Sequence, residues 1–232
     1  MKETTIKNAK EALAITTTLT LFAAGFEVFM AYSGYRPGMN IFDIASYATA
    51  NINVYCLVLI LINLILLPSA VLLYKQNNIS LKNEIVERKT LGKDILIGLA
   101  ALAVSLIISL LYGFIYNARS SDLAYKGSDT TVSTTIMKIV ALGVVSGICK
   151  EIYFRGFAKT FVGAVLGETQ ALILFSVMFA MLDWYNLGFS LIMGLIWSYA
   201  YKKSGHLITS MIAHGGANLA AIIYVLVTSG VM

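Results

Sequence analysis

Seven apolar runs, most of them roughly twenty residues long, constrain this chain more than any other feature. They cover residues 12–35, 54–74, 95–116, 135–159, 169–184, 187–201 and 207–231. A lone segment in lipid must satisfy its own backbone N–H and C=O groups, which makes helix the default. A transmembrane barrel alternates apolar and polar residues over pieces of about ten, and these runs are continuous. The expectation is an all-α, polytopic membrane helical bundle of about seven transmembrane helices. Composition agrees, with 58% hydrophobic and 12% charged residues. A soluble domain has roughly 45–50% and about 25%, so an ordinary soluble globule and a disordered chain are both excluded. The first run is too long for a cleaved signal peptide and shows no clear small-x-small site, so it reads as a retained span.

The charges lie mostly between the runs, and the formal net charge is +5. Basic residues gather at Lys2, Lys7 and Lys10, in the loop over residues 75–94, at Arg155 and Lys159, and at Lys202 and Lys203. A chain that crosses with each run puts all four groups on one side, which the positive-inside rule makes cytoplasmic. The N-terminus is then cytoplasmic and the C-terminus outside. Arg36, Arg119, Lys126 and Lys138 run against the trend. A polar loop with Ser120, Ser121, Asp122, Ser128, Asp129 and Thr130 follows the third run. No basic stripe with interleaved aromatics is present, so membrane lipids and not nucleic acid are the expected surroundings. Cys56 and Cys149 sit inside apolar runs and read as small buried hydrophobes. Trp184, Tyr185, Tyr199 and Tyr201 read as interface anchors, and His206, just past Lys202 and Lys203, reads as an interfacial histidine. The small-residue patches at residues 163–167 and 215–217 allow close helix approach.

A second set of charges lies within the runs. Ionisable groups there are costly and face the bundle interior or a cavity. The fourth run holds Lys150, Glu151 and Arg155, the fifth Asp183, the seventh His214 with Asn218, and the first Glu27. Glu151 and Arg155 are four residues apart, as are Phe179 and Asp183, and His214 and Asn218. Each pair therefore shares one helix face. At about 1.5 Å per residue, Lys150 and Asp183 both lie roughly 25 Å from the turn near Gly167, and His214 and Asn218 fall at overlapping depths from the turn near Gly205. Polar groups on three helices at one depth point to a shared cavity. If the first helix packs on the fourth, Glu27 reaches Lys150 or Lys138; otherwise it lies at an interface.

Three blocks carry a resemblance. The first reads Lys150-Glu151-Ile152-Tyr153-Phe154-Arg155, the second Phe179-Ala180-Met181-Leu182-Asp183, and the third His214-Gly215-Gly216-Ala217-Asn218. In this order the sequence resembles the CPBP family, the CAAX-protease and bacteriocin-processing intramembrane proteins, also called Abi. The family pattern is Glu-Glu-x-x-x-Arg, then Phe-x-x-x-His, then His-x-x-x-Asn. The resemblance covers roughly the last hundred residues and implies a division into N-terminal transmembrane helices and loops over residues 1–130 and a CAAX-protease-like core over residues 131–232. It also implies a bacterial cell membrane as the location. In active members the first Glu and the first His activate the hydrolytic water, and the second His and the Asn stabilise the oxyanion. Glu151, Arg155, His214 and Asn218 match the pattern. Lys150 and Asp183 stand where it has Glu and His.

Peptide hydrolysis needs a base for water and donors for the oxyanion. A charged Lys150 accepts no proton, and a carboxylate paired with lysine is a poor base. The two substitutions are reciprocal: an acid facing a base has become a base facing an acid. The expectation is an ion pair between Lys150 and Asp183 that keeps the cavity and loses efficient cleavage. Such a protein binds a membrane-associated peptide or protein partner, as a membrane adaptor or in bacteriocin-type immunity. The alternative is an altered intramembrane endopeptidase in which Asp183 or Glu151 takes the proton from water. No cofactor is implied. His206 and His214, the two histidines, are too few for a zinc site of three or four protein ligands, so no metal is expected. A transporter is disfavoured because no internal repeat is visible.

Overall fold

The computed structural model describes residues 3–39, 51–116, 131–186 and 188–228. Lys2, Arg119, Lys126 and the polar loop from Ser120 to Thr130 lie outside the described residues. In chain order the helices are α1 (Glu3–Ser33), α2 (Ile52–Gln76), α3 (Leu81–Ile85), α4 (Leu91–Tyr116), α5 (Val132–Leu166), α6 (Glu168–Leu182), α7 (Phe189–Ser204) and α8 (Ile208–Thr228). No strand occurs among the described residues. All but the short α3 coincide with the apolar runs. Side-chain caps start several of them: Asn51, Ser80 and Thr131 each accept a hydrogen bond from a backbone N–H three residues on.

Five helices, α1, α2, α4, α5 and α8, are long and apolar enough to cross a membrane. Their outward faces carry exposed Leu21, Phe29, Ile65, Leu96 and Leu110. Exposed apolar surface of this extent belongs against lipid. The helices α6 and α7 have only 15 and 16 residues, about 22–24 Å. They fall short of a hydrocarbon core of about 30 Å.

At the centre stands α5, packed against α1, α2, α6 and α8, while α4, α7 and α8 pack on one another. Every residue from 149 to 158 is buried, as a helix surrounded on all sides must be. Three stretches of α5, Ile139–Ser146, Ile152–Gly156 and Ala158–Val162, have wide i→i+5 turns. Such turns are uncommon and cluster at functional sites. Glycines let neighbours come close. A Cβ on Gly147 would lie 2.9 Å from the Gly215 Cα of α8. On α1 the buried face runs Ala9, Ala12, Thr16, Leu19, Thr20, Ala23, Glu27 and Ala31, mostly small residues at helical spacing with one leucine and one acid among them.

The basic segments share one end of the bundle. Asn8 donates a side-chain hydrogen bond to Asn77, Lys159 donates to the Gly205 carbonyl at 3.1 Å, and the Leu207 N–H donates to the Glu84 carbonyl at 2.9 Å. Two readings from sequence change here. Arg155 is fully buried in the bundle and marks no border, because Glu151 one turn earlier holds it inside. Tyr201 is buried and donates to the Glu84 carboxylate, with the Lys159 ammonium 4.7 Å over its ring, so the loop after α2 covers it and it is no interface anchor. His206 is 15% exposed, its Nδ1 2.9 Å from the buried Asp94 carboxylate and its Nε2 3.7 Å from Glu87.

Candidate functional site

Two polar groupings meet across the ring of Phe179. The first centres on Glu151. Its Oε1 accepts from Arg155 Nη1 at 2.9 Å and lies 2.7 Å from His214 Nδ1. All three side chains are buried. The spacing of four on α5 brings Arg155 over Glu151, and the approach of α8 over Gly147 and Gly215 brings His214 in from the side. Arg155 Nη2 also donates to the Gly194 carbonyl of α7 at 3.1 Å. A Cβ on Gly194 would stand 3.3 Å from that nitrogen, so the absent side chain makes room for the guanidinium.

The aromatic rings fix the histidine. Trp197 stacks on it with centroids 4.2 Å apart and planes at 17°, and Phe179 meets it edge to face at 5.5 Å. Trp197 is itself held by donating from Nε1 to Ser105 Oγ at 2.9 Å. With Nδ1 turned to Glu151, the other nitrogen, Nε2, has no hydrogen-bond partner among the described residues. A carboxylate on one imidazole nitrogen sets the tautomer and orientation of the ring. The Arg155 guanidinium lies 4.5 Å from the Phe179 centroid and 5.5 Å from that of Trp197, a cation–π arrangement that offsets part of its desolvation.

The second grouping pairs Lys150 with Asp183. Nζ lies 3.8 Å from Oδ1, with the side chains 4% and 14% exposed. The contact is an ion pair too long for a direct hydrogen bond. The other carboxylate oxygen, Oδ2, accepts from Ser190 Oγ at 3.0 Å, and Ser190 in turn accepts from Asn186 Nδ2 at 2.6 Å. Tyr112 of α4 donates to the Asn186 carbonyl at 2.7 Å. Asn186 closes the single 3-10 turn over Trp184–Asn186 and also accepts the Ser190 N–H through Oδ1 at 3.2 Å. The shortness of α6 thus places Asp183 opposite Lys150. The lysine Nζ is 5.6 Å from the Phe179 centroid, so this one ring touches both groupings.

Lys150, Glu151, Arg155, Asp183 and His214 are brought together around Phe179. Asn218 is engaged differently: its Nδ2 donates to the Leu142 carbonyl at 2.8 Å, tying α8 to the first wide turn of α5. Glu27 of α1 lies within electrostatic reach of this pair: it is 1% exposed, Asp183 and Lys150 both act on its carboxyl group, and Tyr55 hydrogen-bonds it. Its Oε2 has no hydrogen-bond partner among the described residues. Sequence reasoning missed Trp197, Ser190, Asn186 and Gly194. Ser190 and Asn186 carried a weak signal, as polar residues flanking a glycine between two apolar runs. No group of three or more His, Cys, Asp or Glu residues able to hold a metal occurs among the described residues.

Comparison with known proteins gives one match. Residues 132–220 match the family model described as type II CAAX prenyl endopeptidase, Rce1-like. The segment starts with α5, ends within α8 and contains all six residues singled out by the motifs. It bears out the resemblance read from the three blocks. No curated protein and no solved structure matches the chain.

Proposed function

We propose that this CAAX-protease-like membrane protein binds a membrane-associated peptide or protein partner at the Lys150–Asp183 site and does not cleave it efficiently. It acts as a membrane adaptor or an immunity-type partner, in a bacterial cell membrane and with its N-terminus cytoplasmic. The observation that carries this reading is the 3.8 Å ion pair between Lys150 and Asp183, at the two positions where the family pattern has the water-activating Glu and His. The candidates for a replacement base are already engaged. Asp183 holds Lys150 through one oxygen and Ser190 through the other. Glu151 is fully buried and shared between Arg155 and His214. Glu151 Oε2 accepts no hydrogen bond among the described residues but is buried, and Asp183 Oδ1 faces the Lys150 ammonium, which makes each a poor base for water.

The test is activity together with capture. Purified native protein in lipid is incubated with membrane-anchored peptides, and products are read by mass spectrometry. No cleavage above background is expected, and cross-linking in native membranes is expected to retain a discrete partner. Cleavage by the native chain that is abolished by His214→Ala or Asn218→Ala would refute the non-catalytic reading in favour of an altered endopeptidase.

A further inference from the structure

The segment over residues 75–94 carries five bases and three acids, and the fold separates them. The acids face the bundle. Asp94 is fully buried, with Oδ2 2.8 Å from the Thr90 hydroxyl and 2.9 Å from His206 Nδ1. The Glu84 carboxylate accepts from Tyr201, and the Glu84 carbonyl takes the Leu207 N–H at 2.9 Å. Glu87 lies 3.7 Å from His206 Nε2 and is the one acid of the three that keeps about half its side chain exposed. The bases, Lys75, Lys82, Arg88, Lys89 and Lys93, are all exposed.

The segment is also anchored. Ile79, Leu81 and Ile85 pack against the main apolar core, and Ser80 caps α3 by accepting the Asn83 N–H at 3.3 Å. Apolar side chains and acids thus point one way and bases the other. An anion arriving from outside meets the bases first, on a backbone already ordered by folding, so little ordering is lost on contact.

Position decides which anion. Lys75 stands in the last turn of α2 and Lys93 in the first turn of α4, two of the helices long and apolar enough to cross a membrane. The exposed Lys202 and Lys203 end α7 at the same end of the bundle, where Lys202 donates to Thr169 at the start of α6 at 2.7 Å. The ends of spanning helices lie at the level of the lipid headgroups. Exposed bases there stand within a Debye length of the headgroup phosphates. A soluble acidic partner would meet chiefly Lys82, Arg88 and Lys89, which lie off the spanning helices, and would leave the bases at the helix ends unused.

We propose that this end of the bundle selects anionic phospholipids, with the outward bases of residues 75–94 binding the headgroups of the adjoining leaflet. The inference stands apart from the peptide-binding reading and survives its failure.

The test uses the full chain in bilayers of equal parts phosphatidylcholine and phosphatidylglycerol. Association of spin-labelled forms of the two lipids is read by electron spin resonance. Phosphatidylglycerol is expected to be favoured about fivefold, the worth of one well-placed base at a headgroup surface. About 1 M salt should remove most of that preference. The variant with glutamine at all five positions 75, 82, 88, 89 and 93 should remove it at low salt, and Arg36→Gln, an exposed base beyond the other end of α1, should leave it intact. Should the fivefold variant fail to fold, Lys75→Gln/Lys93→Gln serves instead and should at least halve the preference. Equal association of the two lipids with the native chain overturns the inference. So does a preference that survives in every variant that folds, or one that Arg36→Gln lowers as much as they do. Tight binding of a soluble hexaglutamate peptide without any lipid preference also overturns it, and assigns the surface to an acidic protein.

Discussion

Lys150 Nζ stands 3.8 Å from Asp183 Oδ1, joining the middle of the central helix to the end of a helix too short to span the bundle. Removing one member leaves the other charge buried, at about 3–5 kcal/mol by the behaviour of buried pairs. Lys150→Met and Asp183→Asn should each lower the unfolding temperature in detergent, and the double variant should lose less than the sum of the two. Strict additivity would show that the two charges do not interact.

The Arg155 guanidinium serves three surfaces at once: Glu151, the Gly194 carbonyl and the ring faces of Phe179 and Trp197. Lysine has neither the fork nor the planar face to reproduce this. Arg155→Met should destabilise by about 3–5 kcal/mol, because Glu151 is then buried without its cation. Arg155→Lys should recover less than half of that loss. Full recovery in a thermal or denaturant unfolding measurement would mean that only the charge matters.

Gly147 tests the approach of α5 and α8. A methyl group there would meet the Gly215 Cα at 2.9 Å, a contact with backbone that no rotamer relieves. Gly147→Ala should cost about 1–3 kcal/mol, as overpacking does. Gly25 lies in α1 with nothing within 4 Å of an added Cβ. Gly25→Ala should stabilise by about 0.5–1 kcal/mol through its helix preference. The two alanines should therefore move the unfolding temperature in opposite directions.

Much of this architecture was legible in the chain because hydrophobic runs in lipid leave few alternatives to helix. The pairing of Lys150 with Asp183 was also legible, since two reciprocal changes in one motif set imply contact. Other features depended on packing that no local pattern encodes. Glu27 was visible as a misplaced acid, yet its neighbours follow from α1 lying against α5 and α6. Tyr201 beside Lys202 and Lys203 has the composition of an interface anchor, but the Glu84 segment folds over it. The wide turns of α5 leave no mark in the sequence, because apolar residues all around the helix show no periodicity whose change of register could be read.

Asp94 follows the same logic at the basic end. Its carboxylate is fully buried, with Oδ2 2.8 Å from the Thr90 hydroxyl and 2.9 Å from His206 Nδ1. The residue looks like a loop charge in sequence, but it pins the start of α4 to the turn before α8. His206→Ala should loosen that junction, leaving Thr90 as the remaining side-chain donor to Oδ2. Trypsin should then cut several-fold faster at the exposed Arg88 and Lys89, while unfolding of the bundle core changes little. An unchanged cleavage rate would show that Asp94 is held without the histidine.

The sharpest prediction concerns restored chemistry. Lys150→Glu alone adds a third carboxylate beside Asp183 and Glu27, a like-charge cluster that cannot stay fully ionised. Asp183→His alone leaves Lys150 facing an imidazole, two groups of which neither orients water as a base. Only the double variant Lys150→Glu/Asp183→His sets a carboxylate opposite a histidine, the arrangement of the family pattern, at the same positions and against the same Phe179 ring. Cleavage of membrane-anchored peptides should therefore be absent in both single variants and measurable in the double one. Adding His214→Ala to the double variant should lower the gained rate by about a hundredfold, the usual worth of one oxyanion donor. If the double variant stays inactive while folded, Asn218 is the next residue to examine. Its amide is held by the Leu142 carbonyl, and an oxyanion would have to draw on the second N–H of that same group.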